Sequence, residues 1–251
     1  MLATMFWLTL VLGVLVGVAL GLLGGGGSIL AVPLLVYVAG MAPAEAVAGS
    51  LLVVGVTSLA ALVPHALAGR VRWRVGLVLG LSAMAGAYAG GRLSGFIPGP
   101  VLLALFAVMM IVTAASMIRG RRTPPAGERV GLGRSVAQGV GIGLVTGTVG
   151  AGGGFLVVPV LVLLGGLEMP VAVATSLLVI AMNSGAGLAG HLHTVRLDWG
   201  LALPVTAVAV VGSVLGGLLS GRVRQESLRR AFGWFVLAMG ALVLGQSLLS
   251  A

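Results

Sequence analysis

Apolar segments follow one another along almost the whole chain, separated by short stretches rich in glycine, proline or arginine. The first half contains segments at 2–23, 29–40, 45–68, 75–95 and 100–118. The second half contains segments at 135–149, 155–167, 171–192, 199–220 and 231–249. Since a helix needs about 20 residues to cross the hydrocarbon core, the pattern predicts an all-α polytopic membrane protein. About eight to ten membrane segments are expected, three of them long in each half.

Composition supports this fold class. Of the 251 residues, 59% are hydrophobic and 8% are charged, which excludes a soluble domain with a polar surface. The uncharged N-terminal segment lacks the basic start and the cleavage site of a signal peptide, so we expect it to be retained. The absence of cysteine excludes disulfides, thiolate metal sites and thiol catalysis. We expect no metal and no cofactor.

The sequence repeats itself at an offset of 126 residues. At this offset Gly24, Gly26, Gly27, Leu30, Val32 and Pro33 correspond to Gly150, Gly152, Gly153, Leu156, Val158 and Pro159. Ser50, Ser58, His65, Arg70 and Trp73 likewise correspond to Ser176, Ser184, His191, Arg196 and Trp199. The chain therefore consists of two homologous halves, 1–118 and 135–251. The segment 119–134, with its prolines, glycines and charges, is the predicted linker.

The distribution of arginines predicts how the two halves are oriented. If each glycine-separated pair of segments crosses the membrane twice, or enters and leaves by one face, the halves are inverted; a single crossing makes them parallel. The inverted arrangement puts twelve of the fourteen arginines, all except Arg92 and Arg196, on one face. Because basic loops stay in the cytoplasm, we expect an inverted repeat with a cytoplasmic linker and both termini on the outer side. The same distribution, between apolar segments, argues against a nucleic-acid partner and for the lipid bilayer.

Two glycine-rich stretches, GGGGS at 24–28 and GAGGG at 150–154, interrupt the apolar pattern. Glycine costs about 1 kcal/mol in a helix interior, and a broken backbone at membrane depth must be covered by protein or line a polar cavity. Helix N-termini that follow such breaks attract anions. Half-helices meeting at the breaks would therefore expose backbone N–H groups to a small anion near the membrane midplane. The predicted substrate-binding residues are Gly25, Gly26, Gly27, Ser28, Gly152, Gly153 and Gly154. Two further glycine pairs, Gly86 with Gly90 and Gly212 with Gly216, predict close helix packing instead.

The motifs GLLGGGGSILAVPLL and GTVGAGGGFLVVPVL, followed by APAEAVAGSLLVV and MPVAVATSLLVI, resemble the TauE/SafE sulfite exporter family. This family is also called the 4-toluene sulfonate uptake permease family, and the resemblance covers nearly the whole chain in two copies. It implies a multi-pass permease of the bacterial inner membrane for sulfite, a sulfonate or another organosulfur anion. It also implies coupling to an ion gradient, with H⁺ as the expected ion. Import, export and a homodimeric state all remain open.

Several polar residues are candidates to complete the site. Ser50, Ser176 and Asn183 are predicted to contact the substrate, although serines often bond to their own helix and a buried amide also joins helices. His65, His191 and Glu45 are candidates for ion coupling or substrate contact. The structural alternatives are a histidine capping a helix end at the interface and a glutamate favouring a helix dipole.

Two other functions compete with a secondary transporter. An intramembrane serine hydrolase would use Ser28 and His65, but Gly154 stands at the repeat position of Ser28 and no GxSxG motif accompanies it. We therefore expect no enzymatic activity. A passive anion channel is the stronger alternative, and the dependence of flux on an ion gradient distinguishes the two.

Overall fold

The computed structural model describes residues 2–23, 28–119, 132–149, 154–163, 167–219, 233–234 and 236–245, and the regular structure in them is helical. The helices are α1 (Leu2–Leu23), α2 (Ser28–Val38), α3 (Pro43–Leu67), α4 (Trp73–Ser94), α5 (Gly99–Arg119), α6 (Leu132–Val149), α7 (Gly154–Leu163), α8 (Met169–His191), α9 (Trp199–Leu219) and α10 (Val236–Gly245). These bounds lie within a few residues of most of the apolar segments. The linker expected at 119–134 overlaps the last residue of α5 and the first turn of α6.

Three of the described helices, α3, α8 and α9, are long and apolar enough to cross a membrane. Shorter apolar helices lie within or coincide with α1, α2, α5, α6 and α10. The helix α4 has 22 residues but is not among either group, since its sequence is rich in glycine and carries Arg74 and Arg92. The helical membrane-protein class is thus confirmed, while three candidate spans are identified where six long ones were expected.

The short helices α2 and α7 end in the same way in the two halves. The N–H of Met41 donates to the carbonyl of Leu35 at 2.9 Å, and at the repeat-related positions the N–H of Leu167 donates to the carbonyl of Leu161 at 3.2 Å. In the first half Gly40, with φ of +71°, makes the reversal that such a helix end requires. The repeat seen in the sequence therefore extends to backbone geometry.

Two close helix pairs join the halves. In one pair α1 packs on α9, and in the other α6 packs on α4, so each pair has one helix from each half. A side chain at Gly17 would collide with the carbonyl of Ala209, and a side chain at Gly143 would collide with the carbonyl of Ala83. These two contacts are related by the repeat. In lipid such pairs are held by van der Waals packing of close backbones. The hydrophobic effect does not drive their association, because lipid tails are as apolar as the helix surfaces.

The same two interfaces confirm the close helix packing predicted for the two further glycine pairs. Gly86 and Gly90 of α4 lie against the backbone of α6, and Gly212 and Gly216 of α9 lie against the backbone of α1. A Cβ at any of the four would meet a carbonyl oxygen of the neighbouring helix at less than contact distance. Glycine is therefore required at these positions by packing.

The helices α3 and α8, which hold the same place in the repeat, cross each other in the middle of the fold. Gly55 of α3 lies beside Ser184 of α8, and Gly187 of α8 lies beside Leu51 of α3. Residue numbers at these contacts increase along α3 while they decrease along α8, so the two helices are antiparallel. The helix α4 runs parallel to α8, and α9 runs parallel to α3.

Candidate functional site

The two glycine-rich segments are described only at their ends. Gly25, Gly26, Gly27, Gly152 and Gly153 lie outside the described residues, so their contact with a substrate stays a prediction. Ser28 begins α2 and is fully buried, and Gly154 begins α7. These two residues are the first described ones after each break.

The helices that lead into the breaks pack on α9 and α4. In α1, Gly21 lies against the backbone of Ser213 and Gly217 of α9, and in α6 Gly147 lies against Ala87 of α4. Ile29 of α2 and Val149 of α6 belong to one buried apolar cluster, against which Leu156 of α7 packs. Described residues that flank the two breaks thus share one cluster, and the meeting of half-helices at the midplane stays a prediction.

His191 joins three helices at the end of α6. The side chain is fully buried, its Nε2 lies 2.8 Å from the carbonyl oxygen of Gly147, and its Nδ1 lies 3.0 Å from Oγ of Ser94. A carbonyl only accepts, so Nε2 carries the proton that is donated to Gly147. The hydroxyl of Ser94 also lies 2.7 Å from the carbonyl oxygen of Gly91.

This arrangement accommodates both charge states of the ring. When Nδ1 is unprotonated, the Ser94 hydroxyl donates to it; when Nδ1 is protonated, Ser94 accepts from it and donates to Gly91 instead. One hydroxyl rotation therefore satisfies either form of His191. The hydrogen bonds of His191 are thus kept in either form, and its role in coupling stays a prediction.

The helices α4 and α8 are tightly closed around His191. A Cβ added at Gly91 would lie 2.5 Å from the carbonyl oxygen of Gly187, and one added at Gly190 would lie 2.6 Å from the carbonyl oxygen of Tyr88. No side chain fits between the helices there. The C-terminal turns of α4 and α8 thus form a closed contact at one end of the bundle.

The described residues at the repeat-related place in the other half pack less tightly. A Cβ added at Gly217, which corresponds to Gly91, would meet no atom within 4 Å. On α3, Leu59 and Val63 are 53% and 57% exposed. His65 is only partly buried, and its Nδ1, although shielded, has no hydrogen-bond partner among the described residues. In the described part of the chain, the C-terminal turns of α3 and α9 do not repeat the close contact of α4 with α8, and Ala61 and Pro64 stand where α8 has Gly187 and Gly190.

Asn183 bonds to a neighbouring helix. Its side chain is fully buried, and its Nδ2 donates to Oγ1 of Thr146 at 2.7 Å, while the Thr146 hydroxyl donates to the carbonyl of Ile142 at 2.8 Å. The structure thus shows the helix-joining interaction between α8 and α6 that was the alternative to substrate contact. A direct role with the substrate stays a prediction.

Ser50 and Ser176 use their hydroxyl hydrogens within their own helices. Ser50 donates to the carbonyl of Val47 and Ser176 donates to that of Val173, each at 2.7 Å. Both lie about two turns into their helices. As donors to an anion they compete with these internal bonds, which is the usual state of serine in a helix.

Ser58 and Ser184 could also donate to an oxyanion by their sequence positions, but the predicted site does not include them. They are repeat mates, only 2% and 0% exposed, and within the part of the chain that the structure describes their hydroxyl oxygens have no hydrogen-bond partner. The signal that identifies them in the sequence is the repeat alignment, which places a serine at both positions.

Glu45 fixes the start of a helix of the other half. Its Oε1 accepts from the N–H of Asp198, which precedes α9, at 2.8 Å. At the repeat-related position the N–H of Arg72, which precedes α4, donates to Oγ1 of Thr175 at 3.0 Å. The contact supports the structural interpretation of Glu45, and a role in coupling is untested.

The described residues also contain a narrow gap between α1, α2, α3 and α9, too small to hold a water molecule. Its lining is Gly13, Val16, Ala31, Leu34, Leu35, Val53, Val205 and Ala209. This lining has no polar side chain, so the gap is unsuited to hold an anion. Among the described residues no group of three or more histidines and acidic residues is placed to hold a metal ion.

Comparison with known proteins agrees with the architecture. The sequence model of the family described as "Sulfite exporter TauE/SafE" matches residues 9–243. The chain belongs to the TauE/SafE sulfite exporter family. A TauE/SafE-like relative from Xylella fastidiosa, named "Probable membrane transporter protein", is 37% identical over 94% of this chain and 93% of its own length. The protein YunE of Bacillus subtilis, named "Probable membrane transporter protein YunE", is 25% identical over 98% of this chain and 99% of its own length. No solved structure matches the chain.

Proposed function

We propose that this TauE/SafE family member is a secondary transporter of the bacterial inner membrane. It moves a small sulfur oxyanion, such as sulfite or a sulfonate, by alternating access and is driven by an ion gradient. The family description, which names sulfite export, supports the substrate class.

The contacts between the halves support an inverted repeat. The repeat mates α3 and α8 run in opposite directions, and the pairs α1 with α9 and α6 with α4 are exchanged by the repeat. The C-terminus of α3, which leads into Arg70, lies on the same side of the bundle as the N-terminus of α6, which follows the linker. The C-terminus of α9, which leads into Arg222, lies on that side as well. This grouping supports a cytoplasmic linker under the positive-inside rule.

The observation that carries alternating access is the difference between the two repeat-related helix contacts. The contact of α4 with α8 is closed over His191, and among the described residues that of α3 with α9 is less tight beside His65. In an inverted repeat these two places face opposite sides of the membrane. Exchange of the two conformations between the halves would open one side and close the other. Protonation of the paired histidines offers a means of coupling that exchange to H⁺.

Flux measurements in liposomes test the proposal. The purified protein should catalyse sulfite transport that saturates with concentration and accelerates when a pH gradient is imposed across the membrane. Protein-free liposomes provide the background. Transport that stays linear with concentration and ignores the pH gradient would instead identify a passive anion channel. Equal transport of an uncharged control of similar size would contradict the anion specificity.

A further inference from the structure

Almost every buried hydroxyl whose bond is described donates to a carbonyl three or four residues earlier in its own helix. These residues are Ser50, Thr57, Ser82, Ser94, Thr146, Ser176, Thr206 and Ser213. Such back-bonding is the ordinary way for a helical serine or threonine to be satisfied away from water. Ser58 and Ser184 depart from it, since neither hydroxyl has a partner in the described residues.

An unpaired buried hydroxyl is costly. Leaving one without a partner costs about 1 to 3 kcal/mol. The usual acceptor, a carbonyl one turn earlier in the same helix, is not bonded by either hydroxyl. Two such hydroxyls at the same place of the repeat, Ser58 and Ser184, are therefore hard to explain by stability. A ligand that accepts from both would account for them.

The two serines lie at one helix crossing. Cβ of Ser184 is 3.3 Å from the position of an added Cβ at Gly55, so Ser184 faces α3 at that level. Ser58 follows Gly55 by three residues, which places it on the same face of α3 and about 4.5 Å further along. The hydroxyls thus approach the α3–α8 crossing from repeat-related positions. The two helices are in close contact at Gly55, so an anion bound between the hydroxyls requires α3 and α8 to move apart at this level.

The crossing of α3 and α8 offers no carboxylate from these two helices to a cation. The five acidic residues of the chain are Glu45, Glu128, Glu168, Asp198 and Glu226. Only Glu45 belongs to α3, in its first turn, and none belongs to α8. A metal cation at the crossing would have no carboxylate ligand from these two helices. Hydroxyl groups, in contrast, donate well to a charged oxygen.

We propose that Ser58 and Ser184 form an oxyanion-binding position at the crossing of α3 and α8, each donating one hydrogen bond to a sulfite or sulfonate oxygen. This inference rests on the proposed function and adds a site separate from the glycine-rich segments. Because the two serines are exchanged by the repeat, the position is equivalent when approached from either half. A substrate can therefore be held there in both conformations of an alternating-access cycle.

Alanine variants separate this role from a structural one. Ser58→Ala and Ser184→Ala should each raise the KM for sulfite about tenfold or more, because a hydrogen bond to a charged group is lost. Without substrate, the same variants should unfold at the wild-type temperature or above it, since an unpaired hydroxyl is removed. Ser58→Thr and Ser184→Thr keep the donor and serve as rescue variants. Thr206→Val and Ser213→Ala are matched controls whose KM should stay within about twofold, because those buried hydroxyls bond to carbonyls of their own helix.

The outcomes also distinguish the site from the proposed function. Failure of the wild-type protein to transport sulfite would overturn both. Saturable wild-type transport with an unchanged KM in both alanine variants would overturn the serine site alone. So would a lowered unfolding temperature together with an unchanged KM, since the hydroxyls would then be structural. Altered dependence on the coupling ion with an unchanged sulfite KM would also overturn it, because the site would then bind a cation.

Discussion

At the scale of single residues, the two repeat-related histidines have different surroundings. His191 is fully buried and bonded through both ring nitrogens, to Gly147 and Ser94. His65 is only partly buried, and its Nδ1 has no partner in the described region. The same side chain thus holds helices together in one half and not in the other.

Alanine substitution should reveal this difference as stability. We expect His191→Ala to lower the free energy of unfolding by about 2 to 4 kcal/mol, because a buried carbonyl and a buried hydroxyl lose their partner and a cavity forms. His65→Ala, the matched variant, should cost less than about 1 kcal/mol. Unfolding in detergent, followed by circular dichroism, measures both. Equal losses would show that the two histidines are equivalent, contrary to the structure.

Sequence reasoning identified some of these residues better than others. The repeat alignment was sufficient to pair His65 with His191 and Ser58 with Ser184. It could not distinguish Ser58 from Ser50. The two differ in whether the hydroxyl bonds to a carbonyl of its own helix, and this depends on the side-chain rotamer. It also could not predict the partner of Asn183, because that depends on the packing of α8 against α6.

At the scale of helices, most boundaries were predictable and most neighbours were not. The segment predicted at 199–220 is observed as Trp199–Leu219, and that at 45–68 as Pro43–Leu67, because proline and glycine or charged residues flank them. The exchange of α1 and α6 between the halves was not predicted. A repeat reveals which helices are equivalent, but contact between them depends on small residues spaced along both surfaces.

The glycines at the two helix contacts lead to a prediction at this scale. Gly91→Ala should destabilise the protein, since the new methyl group would press on the carbonyl of Gly187. Gly217→Ala has open space and should leave stability unchanged or raise it by up to about 1 kcal/mol. If the two contacts exchange during transport, Gly217→Ala should nevertheless slow sulfite flux, because α3 and α9 must then close tightly.

Unfolding and flux measured on the same preparations check this pair. In Gly217→Ala, the free energy of unfolding should be unchanged or raised while the sulfite flux falls. Wild-type flux in that variant would mean that α3 and α9 never adopt the closed contact seen between α4 and α8.

At the scale of the whole molecule, the protein is two similar halves in different conformations. The crosswise pairs α1 with α9 and α6 with α4 are alike in both halves, so they form a constant frame. Among the described residues, the difference lies in the C-terminal turns of α3 and α8 with their partners α9 and α4. The proposed alternating access requires a second arrangement in which the halves exchange roles.

The natural absence of cysteine allows this exchange to be observed directly. His65→Cys and His191→Cys each introduce a single thiol, whose rate of alkylation reports access to water. Without substrate, the thiol at position 65 should react at least about tenfold faster than the one at position 191, because the described residues pack less tightly around position 65 than around position 191. An organosulfonate substrate with an imposed pH gradient should slow the first reaction and speed the second. Rates that stay fixed at both positions while transport proceeds would contradict alternating access.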